Sequence, residues 1–241
     1  MTRVSVCIAT YNGEKYINEQ INSIILQLTN EDEIIISDDH STDNTINLLE
    51  DYNDPRIKIF YNEHEKGYTS NFQNSLQKAN GKYIFLSDQD DKWIDNKLNI
   101  NLQYLINEKY NMVISDCFIV DEKLNIIGES YFTTRGSKAG LINTLIKSNY
   151  LGCCMAFERK ILIKLLPFPK LYKYLPHDLW LGLIGYAFFK VKTTNEKLIF
   201  YRRHSKNASD GGLKSTTNLK FKIQYRVYAL INVIKRSIVT F

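Results

Sequence analysis

Three carboxylates fall within four residues in the run Ile84-Phe85-Leu86-Ser87-Asp88-Gln89-Asp90-Asp91. The four apolar or small residues ahead of them read as a buried strand, so the acids crowd its C-terminal end. Gathered carboxylates repel one another and lose solvation, which calls for a counter-charge. Oxygen ligands favour a hard divalent cation, Mg2+ or Mn2+, that keeps open positions for phosphate groups. The carboxyl ends of strands in open α/β sheets are also where ligands bind. The structural alternative is an acidic turn in which Asp91 caps a following helix. A D-x-D spacing is short enough to arise by chance, and the surrounding elements must decide between the two.

Those elements begin as an alternation. Val4–Thr10, Glu33–Ser37, Ile57–Tyr61 and Tyr83–Ser87 read as strands, separated by helical stretches at Lys15–Leu28, Thr45–Tyr52 and Tyr68–Ala79. Ser41-Thr42-Asp43 supplies capping chemistry ahead of the second helix. This rhythm predicts an α/β fold with a mostly parallel central sheet flanked by helices. A helix over Lys92–Asn107 and a strand over Met112–Asp116 are expected next. The alternation then loosens, with a turn between strands at Asp121–Gly128, helices at Leu141–Ser148 and Leu175–Phe189, and a last strand at Lys197–Tyr201. No linker or repeat interrupts the pattern, so one domain is expected over residues 1–212, followed by a helical tail over 213–241. The turn after the first strand, Thr10-Tyr11-Asn12-Gly13-Glu14, holds a single glycine and lacks the dinucleotide fingerprint. No P-loop pattern occurs either, which leaves phosphate charge to a metal held by the acidic run.

Composition is that of an ordinary globular protein, with 241 residues, 44% hydrophobic and 24% charged. No stretch reads as a membrane span or a signal peptide, so a cytoplasmic location is expected. The four cysteines form no C-x-x-C pair and read as buried thiols in a reducing compartment. The net charge of +5 is uneven: no acidic residue follows Asp210, whereas Lys214, Lys220, Lys222, Arg226, Lys235 and Arg236 do. Apolar residues between them recur at helical spacing. Such a basic amphipathic tail suits an anionic membrane surface, at the inner face of the plasma membrane, or else a helix docked on the domain with a solvated basic face. Nucleic acid is not an expected partner, because no recognised module accompanies the charge.

Five segments in order resemble glycosyltransferase family 2. The opening Val4-Ser5-Val6-Cys7-Ile8-Ala9-Thr10-Tyr11-Asn12 is similar to that family's first strand and turn. Asp38-Asp39-His40-Ser41-Thr42-Asp43-Asn44-Thr45 resembles its nucleoside-binding segment, and Asp88-Gln89-Asp90 its D-x-D. The form S-D-Q-D-D-x-W resembles the subgroup of bacterial rhamnosyl- and hexosyltransferases. Pro176-His177-Asp178-Leu179-Trp180-Leu181 stands where the family has its E-D motif, and Tyr201-Arg202-Arg203-His204-Ser205-Lys206-Asn207 is similar to its Y-R-x-H-x-x-N element.

The resemblance implies a GT-A nucleotide-sugar-binding fold and inverting, metal-dependent transfer of a hexose or deoxyhexose to a surface polysaccharide or lipid-linked glycan. It implies Asp90 and His204 as ligands of Mn2+ or Mg2+, with an interface histidine as the alternative reading of His204. Asp88 would reach the ribose or a metal-bound water, and Asp39, with Asp38 beside it, the base N3–H of a UDP- or dTDP-sugar. Thr10, Tyr11 and Asn12 would line the nucleoside, and Lys66 would stand in for an arginine near the pyrophosphate. Asp178 would be the general base. The acceptor and donor-sugar wall is expected from the Asn149–Met155 stretch, where Gly152 allows close approach, and from His177, Asp91 and Trp180, whose ring could stack on a sugar. His177 replaces the family's more usual glutamate. Two rival readings are a sugar-nucleotidyltransferase, whose glycine-rich loop is missing, and a non-catalytic nucleotide-sugar or glycan binder, which would not need Asp178.

Overall fold

A computed structural model describes residues 3–147, 150–205, 207 and 218–238. In chain order the elements are β1 (Val4–Thr10), α1 (Ile17–Ile25), β2 (Glu33–Asp38), α2 (Thr45–Glu50), β3 (Ile57–Tyr61), α3 (Tyr68–Lys78) and β4 (Tyr83–Asp88). Next come β5 (Lys92–Trp93), α4 (Lys97–Leu102), β6 (Met112–Val120), β7 (Ile126–Gly128), α5 (Tyr131–Arg135) and α6 (Leu141–Ile146). The described chain ends with β8 (Met155–Glu158), α7 (Leu162–Leu165), α8 (His177–Phe188), β9 (Val191–Arg202) and α9 (Leu219–Ser237).

The strands lie in the order β3-β2-β1-β4-β8-β6-β9-β5, with β7 paired to β6. The parallel block β3-β2-β1-β4 is the one that the alternation predicts. Its central strands are buried along nearly their whole length, because helices cover both faces, and they read as continuous apolar runs for that reason. The remainder of the sheet is mixed. β8 is antiparallel to both β4 and β6, β9 is parallel to β6, and β5 is antiparallel to β9. β8 escapes notice in the sequence because Met-Ala-Phe-Glu is only four residues long, yet it joins the two halves into one sheet.

The helix expected over Lys92–Asn107 begins only at Lys97. Lys92 and Trp93 instead pair with Phe200 and Ile199 of β9, and Asn96 takes a left-handed conformation (φ 64°) that a continuing helix would not allow. Trp93 N donates to Ser23 Oγ at 3.0 Å and its indole Nε1 to Ser87 Oγ at 3.2 Å. The strand after Asp91 is thereby tied to the back of β4. Asp91 therefore caps no helix.

α9 opens on Asn218, whose Oδ1 accepts from Phe221 N at 2.8 Å. Residues 213–217 and 239–241 of the expected tail lie outside the described residues. One side of α9 docks on the domain: Phe221 and Tyr228 pack on Tyr174 with ring centroids 5.1 and 5.9 Å away, and Tyr225 OH donates to Ile146 O at 2.7 Å. No helix of the described residues is long and apolar enough to cross a membrane.

Two glycines distinguish rigid from yielding close contacts. A Cβ on Gly81 would lie 2.4 Å from Ser5 N and 2.6 Å from Val4 C, in the backbone of β1. At Gly185 the nearest atom is Sδ of Met112, which can move. Gly81→Ala should therefore lower urea stability by about 2–3 kcal/mol, and Gly185→Ala by about 1 kcal/mol or less. Equal losses in matched denaturation curves would contradict this reading.

Candidate active site

β4 delivers the acidic run to the edge of the sheet, and Arg202 at the end of β9 holds it there. Arg202 is 2% exposed. Its backbone N donates to Asp91 Oδ1 at 3.0 Å, its Nε to Asp90 O at 2.8 Å and its Nη1 to Glu122 O at 2.6 Å, while Nη2 pairs with Glu19. The guanidinium also lies over the Tyr16 ring, 4.6 Å from its centroid.

This arrangement corrects the expectation for Asp91. It is fully buried, with Oδ1 on the Arg202 amide and Oδ2 without a hydrogen-bond partner. Burial, with Asp90 and Asp88 nearby, pushes its carboxyl well above the ordinary range. Asp91 anchors the loop and does not reach an acceptor, because the β5–β9 pairing that follows it draws it inward.

Asp90 points the other way and meets His204. The two expected metal ligands, 114 residues apart, lie with Nε2 and Oδ2 2.8 Å apart. Asn207 completes the group: its Nδ2 is 3.2 Å from the same Asp90 oxygen, and its Oδ1 accepts from His204 N at 2.6 Å. Tyr16 packs on the His204 ring at 5.0 Å. Asp88 is half-buried, and burial followed by repulsion from Asp90 raises its carboxyl to about 7. Asp88, Asp91 and Cys153 bring ligand atoms within 4.8 Å of one another. An oxygen-rich group with one imidazole, a carboxylate oxygen lacking any partner, and carboxyls pushed toward protonation all fit a divalent cation. Asp88, Asp91 and Cys153 form one candidate ligand group, and Asp90 and His204, 2.8 Å apart, are two further donors that could hold such an ion.

The segment expected to bind the nucleoside, at the ends of β1 and β2, gives its two aspartates different surroundings. Asp38 accepts from Thr10 Oγ1 at 2.7 Å and from Ser41 N and Oγ, each at 2.6 Å. It is fully buried and organises the turn, which corrects its expected contact with a nucleotide. Thr10 is likewise buried and serves Asp38. Asp39 accepts from Asn62 Nδ2 and Gly67 N, both at 2.8 Å, one bond to each oxygen. Each oxygen keeps a lone pair for a further donor. Tyr11 is half exposed, Asn12 ties its Oδ1 to Thr42 N at 2.8 Å, and Lys66 is exposed on the turn held by Asp39. Asp43 accepts from Thr45 N at 3.0 Å, but the N-cap of α2 is Asn44, which makes no side-chain cap bond. The capping expected from Ser41-Thr42-Asp43 thus takes the form of a turn ahead of the helix.

Gln89 was not singled out by its sequence context. Its amide accepts from Tyr11 N at 2.8 Å and donates to Tyr11 O at 3.0 Å, joining the acidic loop to the nucleoside turn. Gly13 makes room for it, since a Cβ there would sit 2.4 Å from Gln89 Oε1. Arg202 and Asn207 stood in a recognisable motif but carried no assigned role, because their partners are distant in sequence.

The opposite wall is the N-terminus of α8. Asp178 is half-buried, with Oδ1 accepting from Leu179 N at 2.6 Å, and burial raises its carboxyl to about 6. It stands near enough to Asp88 and Tyr68 for its charge to raise both of their pKa values. His177 stacks on Phe72 at 4.2 Å, both ring nitrogens lack partners, and burial drives its pKa down to about 3. It is a neutral packing residue rather than an acceptor contact. Gly152 gives room to His177, whose Nε2 would be 2.4 Å from a Cβ there, and not to a sugar. Trp180 is fully buried and its Nε1 donates to Leu165 O at 3.0 Å, so its ring belongs to the core. Leu179 through Gly185 are all buried, leaving α8 no side for stacking. Tyr68 is 47% exposed, edge-on to His177 at 5.7 Å, and close enough to Asp178 and Asp88 to feel their charges. Asn149 of the expected wall lies outside the described residues.

The Asp178 environment has a measurable cost. Its carboxyl keeps a proton to about pH 6 in the fold but only to about 4 in an unfolded chain. The folded state thus binds more protons between those values, and stability falls as pH rises through them. Asp178→Asn should leave stability unchanged near pH 4 and raise it by on the order of 2 kcal/mol at pH 8. A urea series that shows no pH-dependent gain would contradict this environment.

Comparisons with known proteins bear on the family and the fold. Residues 5–166 match the profile of Glycosyl transferase family 2. The chain is 28% identical over 181 residues to UDP-Glc:alpha-D-GlcNAc-diphosphoundecaprenol beta-1,3-glucosyltransferase WfgD of Escherichia coli, across 75% of this chain and 69% of that one. Its fold is similar to that of S. aureus TarS 1-349 in complex with UDP-GlcNAc, with a TM-score of 0.70 at 17% identity over 97% of this chain and 73% of that one. It is also similar to the mannosyltransferase PcManGT from Pyrobaculum calidifontis in complex with GDP-Man and Mn2+, with a TM-score of 0.64 at 17% identity over 97% and 73%. The architecture is the GT-A fold, and the profile match spans well over half of the sequence. The chain belongs to glycosyltransferase family 2.

Proposed function

We propose that the protein is an inverting, metal-dependent transferase that moves one hexose or deoxyhexose from a UDP- or dTDP-sugar to a hydroxyl of a growing bacterial surface polysaccharide or lipid-linked glycan. The observation that carries this reading is that two unlike carboxylates, Asp90 and Asp178, both lie close enough to Asp88 to raise its carboxyl further than burial alone does. Asp90 meets His204 at 2.8 Å, and Asp178 is raised to about 6 by burial. A carboxylate that burial raises toward working pH suits a general base. A Mn2+ or Mg2+ ion held by Asp90 and His204 would supply Lewis-acid stabilisation of the departing diphosphate.

The chain's own residues account for the remaining needs. Asp178 takes the acceptor hydroxyl proton, and direct displacement with inversion needs no second base. Asp39 accepts the base N3–H through its remaining lone pairs, while Tyr11 covers the nucleoside. Tyr68 offers its exposed ring to a sugar face. Asp88 approaches the ribose or a water on the metal. The WfgD relative, named for a UDP-Glc donor and a diphosphoundecaprenol acceptor, supports a UDP-hexose and a lipid-linked glycan. The manganese in the mannosyltransferase complex supports a divalent ion. A location in the cytoplasm, attached through α9 to the inner face of the plasma membrane, accords with such an acceptor.

A panel of nucleotide-sugars tests the reading without knowledge of the acceptor, because slow transfer to water releases nucleotide. Release from one donor is expected with Mn2+ or Mg2+ and is lost with EDTA or in Asp90→Ala. Silence across the panel, together with no metal-dependent binding of UDP or dTDP in calorimetry, would reject it. With the preferred donor, Asp178→Ala should lower kcat by about 10²–10⁴-fold with little change in KM. Wild-type kcat should fall as pH drops below about 6, as Asp178 takes up its proton. A flat profile from pH 5 to 8 would remove Asp178 from the role of base.

A further inference from the structure

α9 uses one side for the fold and leaves the other unpartnered. Ile223, Val227, Leu230, Ile231, Ile234 and Ile238 are each about half exposed or more, from 47% to 79%. At 3.6 residues per turn they fall within about a third of the helix circumference, opposite the aromatic side that packs on Tyr174. α6 abuts this helix, since Tyr225 OH and Arg226 Nη2 both donate to Ile146 O at 2.7 Å. Its own Ile142 and Ile146, one turn apart, are 73% and 53% exposed. On the other flank Leu171, 43% exposed, donates its N–H to Tyr228 OH at 3.2 Å.

The charge around this surface is mostly positive, with Glu65 near Tyr172 as an acidic exception at the Lys170–Lys173 turn. From Ser130 to His177 the only acidic residue is Glu158, and it pairs with Lys160. None occurs in α9. Lys220, Lys222 and Lys235 border the aliphatic row, Lys138 and Lys147 flank α6, and Lys170 and Lys173 flank Leu171.

We propose that α6, α9 and the Lys170–Lys173 turn together form a composite docking face for an anionic phospholipid bilayer. This deepens the attachment named above, but it stands on surface chemistry and not on catalysis. Aliphatic side chains would enter the acyl boundary while lysines extend to the headgroups. No described helix can span the bilayer, so the face lies on the membrane and does not cross it. Self-pairing of the face about a two-fold axis would set lysine against lysine, which disfavours a second copy as the occupant. The α6 contribution matters most, because α6 packs on α8, whose first turn carries Asp178. The bilayer would then fix the orientation of the acceptor side of the cleft.

Flotation of the full chain with vesicles tests this directly. Binding is expected to vesicles of about one-third phosphatidylglycerol in phosphatidylcholine, to be absent from phosphatidylcholine alone, and to weaken in about 0.5 M NaCl. Ile142→Gln/Ile146→Gln and, separately, Leu230→Gln/Ile234→Gln should each weaken partitioning by about tenfold or more. Unchanged circular dichroism melting would show that each variant is folded. Absence of wild-type flotation would overturn the proposal, and so would wild-type binding by the α6 pair. A wild-type dimer in light scattering that Leu230→Gln/Ile234→Gln makes monomeric would assign the face to a second copy instead. Donor hydrolysis measured on the same samples separates failure of docking from failure of the transferase reading.

Discussion

Arg202 donates in nearly every direction that its backbone and guanidinium allow, and the acidic loop takes its shape from those bonds. Three carboxylates at one strand end are an unfavourable arrangement that a flexible loop would relax by spreading into solvent. The amide of Arg202 takes Asp91, its Nε takes the Asp90 carbonyl, and its remaining nitrogens reach Glu122 and Glu19. A planar donor fork suits this better than an ammonium, because each bond constrains direction as well as distance. With the backbone held, Asp90 projects toward His204 and Asp88 toward the cleft. The two-residue strand that follows, bonded to β9, keeps the loop from unwinding into the helix that its sequence suggests.

The site is accordingly a place where local stability yields to function. Asp88, Asp91 and Asp178 are all pushed toward their protonated forms by burial, whereas His177 is pushed toward its neutral form. The surrounding structure tolerates this because the sheet is continuous beneath it, from the parallel block through β8 to β6 and β9. A cation would reverse the sign of the local field and favour the ionised carboxylates.

Much of this was legible in the chain. β1 and β3 have the limits that their apolar runs suggest, and the nucleotide-side helices differ only at their ends. Asp90 and His204, 114 residues apart in sequence, lie side by side. What escaped reading depends on partners distant in sequence. Gln89 looks like a spacer until Tyr11 is beside it, and β8 is too short to carry a period. Trp180 and His177 were misjudged for a related reason: an aromatic in a motif reads as a contact for ligand, but α8 is apolar all round and draws both into the core. Asp91 was assigned from the acidic motif, whereas the turn at Gln89–Asp90 leads it onto the buried amide of Arg202.

The close fit of His177 against Gly152 has a mechanical meaning. The turn Gly152–Cys154 leads directly into β8, which is bonded to β4, and Cys153 O accepts from the buried Lys97 Nζ at 3.2 Å. Because His177 fills the space that a side chain at residue 152 would need, the first turn of α8 is seated on the same rigid piece that carries the acidic loop. Asp178 is therefore carried by an element packed against the turn that opens the strand bonded to β4. On the transferase reading proposed above, the spacing between Asp178 and the acidic loop is then set by the packing of His177 on the Gly152 backbone and by the pairing of β8 with β4.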